Sequence, residues 1–364
     1  MGAWGKRDDM IVHSIDPYNA EPPRAALDGA ALTPLDTFYS RNHGPVPRID
    51  PRAWRLEVDG LVERTLVLSL ADLRGRFDSH SVVATLVCAG NRRADLSRVR
   101  PLPGEEPWGP GAISTARWTG ARLADVLAAA GVRPAAGHVA FTGPDVSPRA
   151  DPPQPFGGSI PVAKAMAGEP LLAWEMNGEP LPVVHGAPVR VVVPGYIGAR
   201  SVKWVRRISV QDRPSDNYFQ ASAYRLLPAE DHPAAAGLPL SVIALNAAIL
   251  RPGDDQPLPA GPNPVSGYAV AGEDRRIARV DVSVDGGRHW QQADLGADTG
   301  PWAWRLWRAT VDLPRGPAEI IARAWDTSAA TQPERPEPLW NPQGYVNNSW
   351  PRVRVFGRPG PAGL

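Results

Sequence analysis

The chain has 364 residues, of which 43% are hydrophobic and 21% are charged, and its formal net charge is +1. This composition is typical of a folded globular protein and excludes a largely disordered one, while the small charge gives no global field that would favour nucleic acid or a membrane surface as partner. The length exceeds what one hydrophobic core usually holds and predicts two domains. Residues 1–16 carry no export signal, and no stretch approaches the ~20 apolar residues of a membrane-spanning helix, so we expect a cytoplasmic protein.

The first part of the chain offers one candidate binding loop. Residues 1–36 are predicted to be irregular, because prolines interrupt them at four positions. The loop that follows, FYSRNHGPVP at residues 38–47, places Arg41, Asn42 and His43 between aromatic residues and prolines. These polar side chains could bind a ligand, but an ordinary polar connector has the same composition, so the loop by itself is a weak signal.

Three helix starts can be read from capping residues. Ser69 with Asp72 three positions later predicts a capping box. Thr119 is predicted to cap a second helix with one apolar face, and Ser159 a third, shorter one. Asp145 is predicted to lie in a loop rich in proline and glycine. We expect the three helices to be scaffold.

The only cysteine stands at the end of an apolar run. Residues 81–93, SVVATLVCAGNRR, begin with β-branched residues that predict a buried strand, and Cys88 follows at its end. With 1 Cys in the chain, no internal disulfide, thiolate zinc site or haem attachment motif is available. Arg92 and Arg93 follow a short turn, and fixed positive charge favours a thiolate, which is a soft metal ligand. A lone cysteine on an apolar strand is more often structural, so the pattern alone leaves both interpretations open.

A second block combines a buried strand with phosphate-binding side chains. It covers residues 171–204, including HGAPVRVVVPGYIGARSVKW, and its β-branched run at 189–193 predicts a buried strand. Arg190, Ser201 and Lys203 can donate hydrogen bonds to a phosphate. The same residues could also serve only as strand ends and turns.

The last third of the chain is predicted to form short strands in which apolar and polar residues alternate. Residues 279–290, RVDVSVDGGRHW, alternate strictly and predict a hairpin that turns at 285–287. Several such strands without long helices predict a β-sandwich of immunoglobulin-like shape. The two expected domains are therefore residues 1–237 and residues 238–364.

These segments together resemble the sulfite oxidase family, and most closely its plant-type, haem-free form. The resemblance is carried by FYSRNHGPVP, by CAGNRR, by the 171–204 block and by the C-terminal strands, and it covers nearly the whole chain. It implies an α+β fold in which a mixed α/β molybdopterin-binding domain is followed by an immunoglobulin-like dimerisation domain. It also implies a homodimer and a molybdenum cofactor without haem.

The resemblance also implies the site residues. Cys88 is expected to be the only protein ligand of molybdenum. The substrate pocket and catalytic set implied with it is Arg41, Arg93, Trp108 and Tyr224. The implied cofactor-binding set is Tyr39, Ser40, Arg41, Asn42, His43, Asp145, His185, Arg190, Ser201, Val202 and Lys203.

The implied reaction is oxidation of sulfite to sulfate by oxygen-atom transfer, with one departure from the family pattern. The family carries a third pocket arginine in a Trp-Asn-Leu-Arg-Gly run, and here residues 340–344 read WNPQG, so that Gln343 replaces it. Nitrate reductases of this family lack the same arginine, which leaves a nitrate-reductase-like enzyme as the alternative, and a non-catalytic pterin-binding or interaction protein as a further one. Tyr224 stands where nitrate reductases typically carry asparagine and favours sulfite. The electron acceptor, a cytochrome or oxygen, stays open.

Overall fold

The computed structural model describes residues 2–227 and 237–359. Helices are short throughout, and strands dominate both halves of the chain. Within the described residues, no helix is both long and apolar enough to cross a membrane. The elements of the first half are β1 (Ile11–Ile15), β2 (Tyr18–Glu21), β3 (Arg55–Gly60), β4 (Leu66–Ser69), α1 (Leu70–Arg76), β5 (Ser79–Val87), α2 (Arg93–Val99), β6 (Ile113–Arg122), α3 (Leu123–Ala130), β7 (His138–Ser147), β8 (Gln154–Pro161), α4 (Val162–Ala165), β9 (Leu171–Met176), β10 (Glu179–Pro180), β11 (Arg190–Val192), β12 (Arg207–Gln211), β13 (Arg225–Leu226) and β14 (Leu238–Pro239).

Two five-stranded sheets carry the first half. One has the strand order β10-β9-β6-β5, with β11 also paired to β9, and the other has the order β4-β3-β12-β7-β8. All their pairings are antiparallel except that between β12 and β3. β5 is exposed or half-buried where it begins and fully buried over its last four residues. The sequence prediction of a strand that runs into the core before Cys88 is therefore confirmed.

The capping predictions were right once and wrong twice. Ser69 caps α1 with a complete capping box, because its side chain accepts from the Asp72 N–H and the Asp72 carboxylate accepts from the Ser69 N–H. Thr119 instead lies inside β6, opposite Glu175 of β9. Ser159 lies inside β8, where its hydroxyl accepts from the Ser215 N–H at 2.9 Å. In both cases the hydroxyl and backbone are used by a sheet that forms between distant segments, so α3 and α4 begin later than predicted.

Two stretches predicted to be irregular contain strands. Residues 11–21 form the β1–β2 hairpin, because Pro17 falls in its turn, where a missing N–H is tolerated. Asp145 lies within β7, at a register shift between Thr142 and Val146, and so it is not in a free loop. The irregular pairing at this point turns Asp145 toward the interior, where it is buried.

The second half is a two-layer β-sandwich. Its strands are β15 (Asn246–Arg251), β16 (Gln256–Pro259), β17 (Gly261–Val270), β18 (Ile277–Ser283), β19 (Gln291–Gln292), β20 (Asp294–Leu295), β21 (Arg305–Leu313), β22 (Gly316–Asp326) and β23 (Arg352–Arg358). They form a four-stranded sheet of order β15-β17-β21-β20 and a five-stranded sheet of order β16-β23-β22-β18-β19. The predicted hairpin is confirmed, since β18 pairs with β19 and the turn between them holds Gly286 at φ 76° and Gly287 at φ 83°. The α+β class with a C-terminal sandwich is therefore confirmed.

The two halves are packed against each other. A hydrophobic cluster joins Val87 and Ile113, at the site end of the first sheet, to Tyr268 and Trp304 of the sandwich. The strand β14 begins at Leu238 and still pairs with β13 of the first half. The boundary between residues 237 and 238 stays a prediction.

Candidate active site

Cys88 stands where β5 leaves the sheet and turns back toward α2. Its N–H donates to the Ala112 carbonyl at 2.9 Å, and its carbonyl accepts from the Asn91 N–H at 2.9 Å, so the backbone at the thiol is fixed on both sides. The guanidinium of Arg93 packs against Gly90 in this turn, where a Cβ would lie 2.7 Å from the guanidinium carbon. The thiol is free and buried.

A cavity opens directly in front of this thiol. It encloses about 620 Å³ not filled by protein atoms, a volume that includes the part open to solvent. Eleven of the residues predicted for the site line it: Tyr39, Arg41, Asn42, His43, Cys88, Asp145, His185, Arg190, Ser201, Lys203 and Tyr224. Segments that are far apart in the sequence therefore meet at one place.

Four predicted residues do not line this cavity. Ser40 and Val202 are buried behind its wall, and Val202 belongs to the main hydrophobic core. Arg93 is buried beside the cavity, and Trp108 is buried completely. Their roles in binding stay predictions.

One end of the cavity is rich in cations. Arg190 donates from Nη1 to the His185 carbonyl at 3.0 Å and from Nη2 to the Ser201 carbonyl at 2.9 Å. Lys203 donates from Nζ to the Arg41 carbonyl at 3.0 Å and to the side-chain oxygen of Asn42. Burial, with Arg190 nearby, holds the pKa of Lys203 well below its ordinary value. These cations are partly desolvated, and a bound anion would stabilise them.

Near these basic groups, Asp145 offers a carboxyl group that can accept hydrogen bonds. Burial raises the pKa of this carboxyl to about 7, while Lys203 acts in the opposite direction. Its Oδ1 has no hydrogen-bond partner within the described residues. A buried polar atom without a partner indicates that a ligand donor completes the site.

A lysine that the sequence analysis did not single out holds His185 in place beside the cavity. Lys6 is fully buried and its Nζ lies 2.6 Å from His185 Nε2, 2.6 Å from the Leu35 carbonyl oxygen and 2.7 Å from the Phe38 carbonyl oxygen. Burial lowers the pKa of Lys6 to about 7 and holds the pKa of His185 well below its ordinary range. His185 is therefore neutral at pH 7, and its ring is anchored on the side of Lys6.

The cavity lining also contains a tyrosine–histidine pair. Tyr224 follows a five-residue π-helical turn, Phe219–Ala223, and its hydroxyl lies 2.7 Å from His43 Nε2. Its ring stacks on Tyr345 of the sandwich half, with ring centroids 5.4 Å apart. Burial raises the pKa of Tyr224 well above its ordinary value and lowers that of His43 well below. Both groups are therefore neutral near pH 7, and the tyrosine keeps its proton.

The charge around the thiol differs from the sequence expectation. Burial raises the pKa of Cys88, and Arg93 and Arg41 lower it by less, so the net shift is upward. Arg92, expected beside the thiol, points away and donates to the Ala247 and Ser349 carbonyls of the sandwich half. The prediction that Arg92 helps to ionise the thiol is wrong, because that guanidinium ties the two halves together. Metal binding would supply the charge that a thiolate needs.

The loop that contains Trp108 is held by a buried carboxylate. Glu21 accepts from the Gly109 N–H at 2.6 Å and the Gly111 N–H at 2.8 Å, and its Oε1 lies 2.9 Å from His13 Nε2. His13 in turn meets the Trp108 ring edge-on, with centroids 4.5 Å apart. The position of the tryptophan is thus set by the N-terminal hairpin.

A second pocket, which we call the entrance, adjoins the cavity, because Arg41, His43 and Tyr224 line both. The sequence analysis missed two acidic residues at or beside it, Glu105 and Glu106. Gln343 lies there with Arg41 and Tyr224, as its place in the sequence pattern led us to expect, and its Oε1 is buried without a hydrogen-bond partner in the described chain. Glu105 lines the entrance as well, and Glu106 pairs with Arg41 beside it. The one available signal was an acidic pair directly before the Pro-Trp of residues 107–108.

The donor set fits a molybdopterin. A single buried thiol at one side suits a soft metal, and within residues 2–227 and 237–359 no group of three or more His, Cys, Asp or Glu side chains forms an alternative metal site. Arg190 and Lys203, with the unpartnered Oδ1 of Asp145, suit a phosphate-bearing heterocycle that both accepts and donates hydrogen bonds.

Comparison with known families gives the class of protein. The family model of the oxidoreductase molybdopterin binding domain matches residues 43–219, and that of the Mo-co oxidoreductase dimerisation domain matches residues 239–357. The chain is therefore an oxidoreductase that uses the molybdenum cofactor.

Individual relatives narrow this class. Sulfite oxidase of Gallus gallus is 46% identical, over 94% of this chain and 77% of that protein, and sulfite oxidase of Arabidopsis thaliana is 39% identical, over 96% and 94%. Nitrate reductase [NAD(P)H] of Hordeum vulgare is also 39% identical, but this chain spans 42% of it; it spans 65% of the mouse mitochondrial sulfite oxidase. The sulfane dehydrogenase SoxCD of Paracoccus pantotrophus superposes with a TM-score of 0.80 at 29% identity, over 93% of this chain and 85% of that one. The chain belongs to the sulfite oxidase family.

Proposed function

We propose that this protein oxidises sulfite to sulfate at a molybdenum centre held by Cys88. The observation that carries the proposal is that one cavity is lined by the Cys88 thiol, by Arg41 and Tyr224, and by Arg190 and Lys203. A small oxyanion and a phosphate-bearing cofactor can therefore be bound side by side.

The cofactor end is proposed to bind the pterin and its phosphate. Arg190 and Lys203 supply positive charge, Ser201 and neutral His185 supply hydrogen bonds, and Asp145 accepts from the heterocycle. Tyr39, Asn42 and His43 line the same cavity and would complete this wall, while Ser40 and Val202 would support it from behind. When bound, the molybdenum centre supplies oxygen-atom transfer and takes up two electrons.

The substrate end is proposed to hold the anion and to control protons. Arg41 lines both the cavity and its entrance, so its guanidinium can bind an oxyanion next to the thiol. Arg93 adds positive charge from behind the wall. Tyr224 keeps its proton and can donate it in a hydrogen bond to the anion when neutral His43 carries its own proton on Nε2 and donates to the tyrosine oxygen. Together these groups supply charge and hydrogen bonds that need no rearrangement during the reaction.

Nitrate reduction is the second candidate, because Gln343 stands where the family carries an arginine. Tyr224 favours sulfite, since its protonated hydroxyl and the two arginines match a strongly charged oxyanion. The test is turnover of one purified holoenzyme sample with sulfite plus an artificial acceptor, and with nitrate plus an artificial donor. Its molybdenum content, expected at about one atom per chain, is measured in parallel. Nitrate turnover without sulfite turnover would overturn the proposal.

The proposal also covers the oligomeric state, the domain boundary and the cellular location. The sandwich half matches a dimerisation domain, and we expect a homodimer formed through it, which light scattering would test; a monomer at micromolar concentration would contradict it. The division into residues 1–237 and 238–364 and a cytoplasmic location stay proposals. The acceptor of the electrons is expected to be an external cytochrome or oxygen.

A further inference from the structure

Two carboxylates bring negative charge to the entrance of the cavity. Glu105 Oε2 lies 3.1 Å from Arg93 Nη2, and Glu106 Oε1 lies 3.5 Å from Arg41 Nη1. A third arginine, Arg149, approaches Glu106 Oε2 at 3.6 Å. The arginines proposed to attract an anionic substrate therefore each face an internal anion already.

The two arginines differ in how firmly the protein holds them. Arg93 donates from Nε to the Gln343 carbonyl at 2.8 Å and from Nη1 to the Glu106 carbonyl at 3.0 Å, and it also pairs with Glu105. Arg41 makes one guanidinium hydrogen bond within the part of the chain that is described, from Nη1 to the Asn42 carbonyl at 2.6 Å. Arg41 is thus the guanidinium with donors left for a ligand.

Glu106 is close to Arg41 but does not form a short hydrogen bond with it. Its distances of 3.5 Å and 3.6 Å to the two guanidinium groups exceed the ~2.7–2.9 Å of a charge-assisted hydrogen bond. Its Oε1 accepts from Asn19 Nδ2 at 3.2 Å, and its Oε2 has no hydrogen-bond partner in the described residues. Burial raises its pKa, but Arg41 and Arg149 outweigh that effect and hold the pKa below its usual range. Glu106 is therefore an anion at neutral pH.

We propose that Glu106 sets the affinity of the site for small oxyanions by competing with them for Arg41. A substrate oxyanion gains the Arg41 guanidinium only as that group gives up its attraction to the Glu106 carboxylate. Glu106 therefore lowers the affinity for substrate and product oxyanions alike. This inference rests on the proposed function only in taking sulfite as substrate and sulfate as product.

The test compares Glu106→Gln with Glu105→Gln as the matched control. In the holoenzyme, Glu106→Gln should lower the KM for sulfite and the inhibition constant of sulfate by about ten- to hundredfold, which lies between the bulk-water and protein-surface limits for two charges 3.5 Å apart. The kcat should stay within about threefold, because ground state and transition state gain the same interaction. Glu105→Gln should change either constant by no more than about fivefold, the usual range for one ion pair whose arginine has other partners.

A binding measurement separates this inference from the function itself. Calorimetric titration of the same holoenzymes with sulfate should show the same tighter binding in Glu106→Gln, whether or not sulfite is turned over. Glu106→Asp, which keeps the charge but withdraws it from Arg41, should fall between wild type and Glu106→Gln, and it serves as the second variant if Glu106→Gln loses its fold or its molybdenum.

Opposite results would overturn the inference. Weaker sulfate binding in Glu106→Gln would mean that Glu106 orients Arg41, and equal effects of the two glutamine variants would mean a general loss of charge. A wild-type enzyme that binds sulfate but never turns over sulfite would refute the proposed function and leave the competition at Glu106 to be decided by the titration.

Discussion

Replacing Lys6 with methionine should destabilise the protein by an amount that grows with pH. The Nζ group of Lys6 lies within 2.7 Å of two carbonyl oxygens and of His185 Nε2. Methionine fills a similar volume but offers no polar hydrogen. We therefore expect a loss of stability in all conditions where the folded wild-type lysine makes these contacts.

The magnitude follows from the hydrogen bonds and from the titration of Lys6. Each contact contributes about 1 kcal/mol to folding. Burial lowers the pKa of Lys6 from 10.5 to about 7 in the folded protein. Between these values the unfolded chain holds a proton that the folded chain lacks, so unfolding takes up a proton and wild-type stability rises with pH. The gain from pH 7 to pH 10 is about 3–4 kcal/mol, and the methionine variant cannot share it.

The assay is thermal unfolding of both holoenzymes at pH 7 and pH 10. At about 1.3 °C per kcal/mol for a chain of this length, the difference in Tm between wild type and Lys6→Met should widen by about 4–5 °C. Lys164→Met is the control, because it also removes a lysine with a partner, Glu169. Its difference in Tm from wild type should change by less than that of Lys6→Met between the two pH values.

A constant difference would refute the reasoning. If Lys6→Met lowers Tm equally at pH 7 and pH 10, Lys6 stays charged in the folded protein, and its effect comes from the three contacts alone.

Three further substitutions test the roles proposed at the cavity. Cys88→Ser should abolish sulfite oxidation while the circular dichroism spectrum stays that of wild type, because the fixed contacts at this residue are made by its backbone; full activity would contradict metal ligation. Tyr224→Phe should lower kcat by about tenfold or more, because it removes the hydroxyl that pairs with His43, and a change confined to KM would argue for binding alone. Gln343→Arg should lower the KM for sulfite, by about 1–3 kcal/mol in binding free energy, with little change in kcat; steady-state kinetics that show a higher KM would contradict it.

Local signals in the sequence were reliable where the interactions they describe are local. The capping box of Ser69 and Asp72 forms within four residues, and the turn at Gly286 and Gly287 is decided by the positive φ angles that glycine adopts without strain. The predictions that Thr119 and Ser159 cap helices were wrong because both residues pair with strands from other parts of the chain. No local sequence pattern indicates such pairing.

The sequence by itself determined that the chain carries one soft thiol, that Arg190 and Lys203 could donate hydrogen bonds to a phosphate, and that a β-sandwich follows in the last third. It did so because residue types and short spacings fix these properties. Only the tertiary structure decided which groups meet and what charge they bear. Lys6 reaches His185 across 179 positions and Arg93 reaches Gln343 across 250. Burial and neighbouring charge set the pKa values, and both arise only when those distant segments pack together. The same packing brings the pocket arginines next to carboxylates.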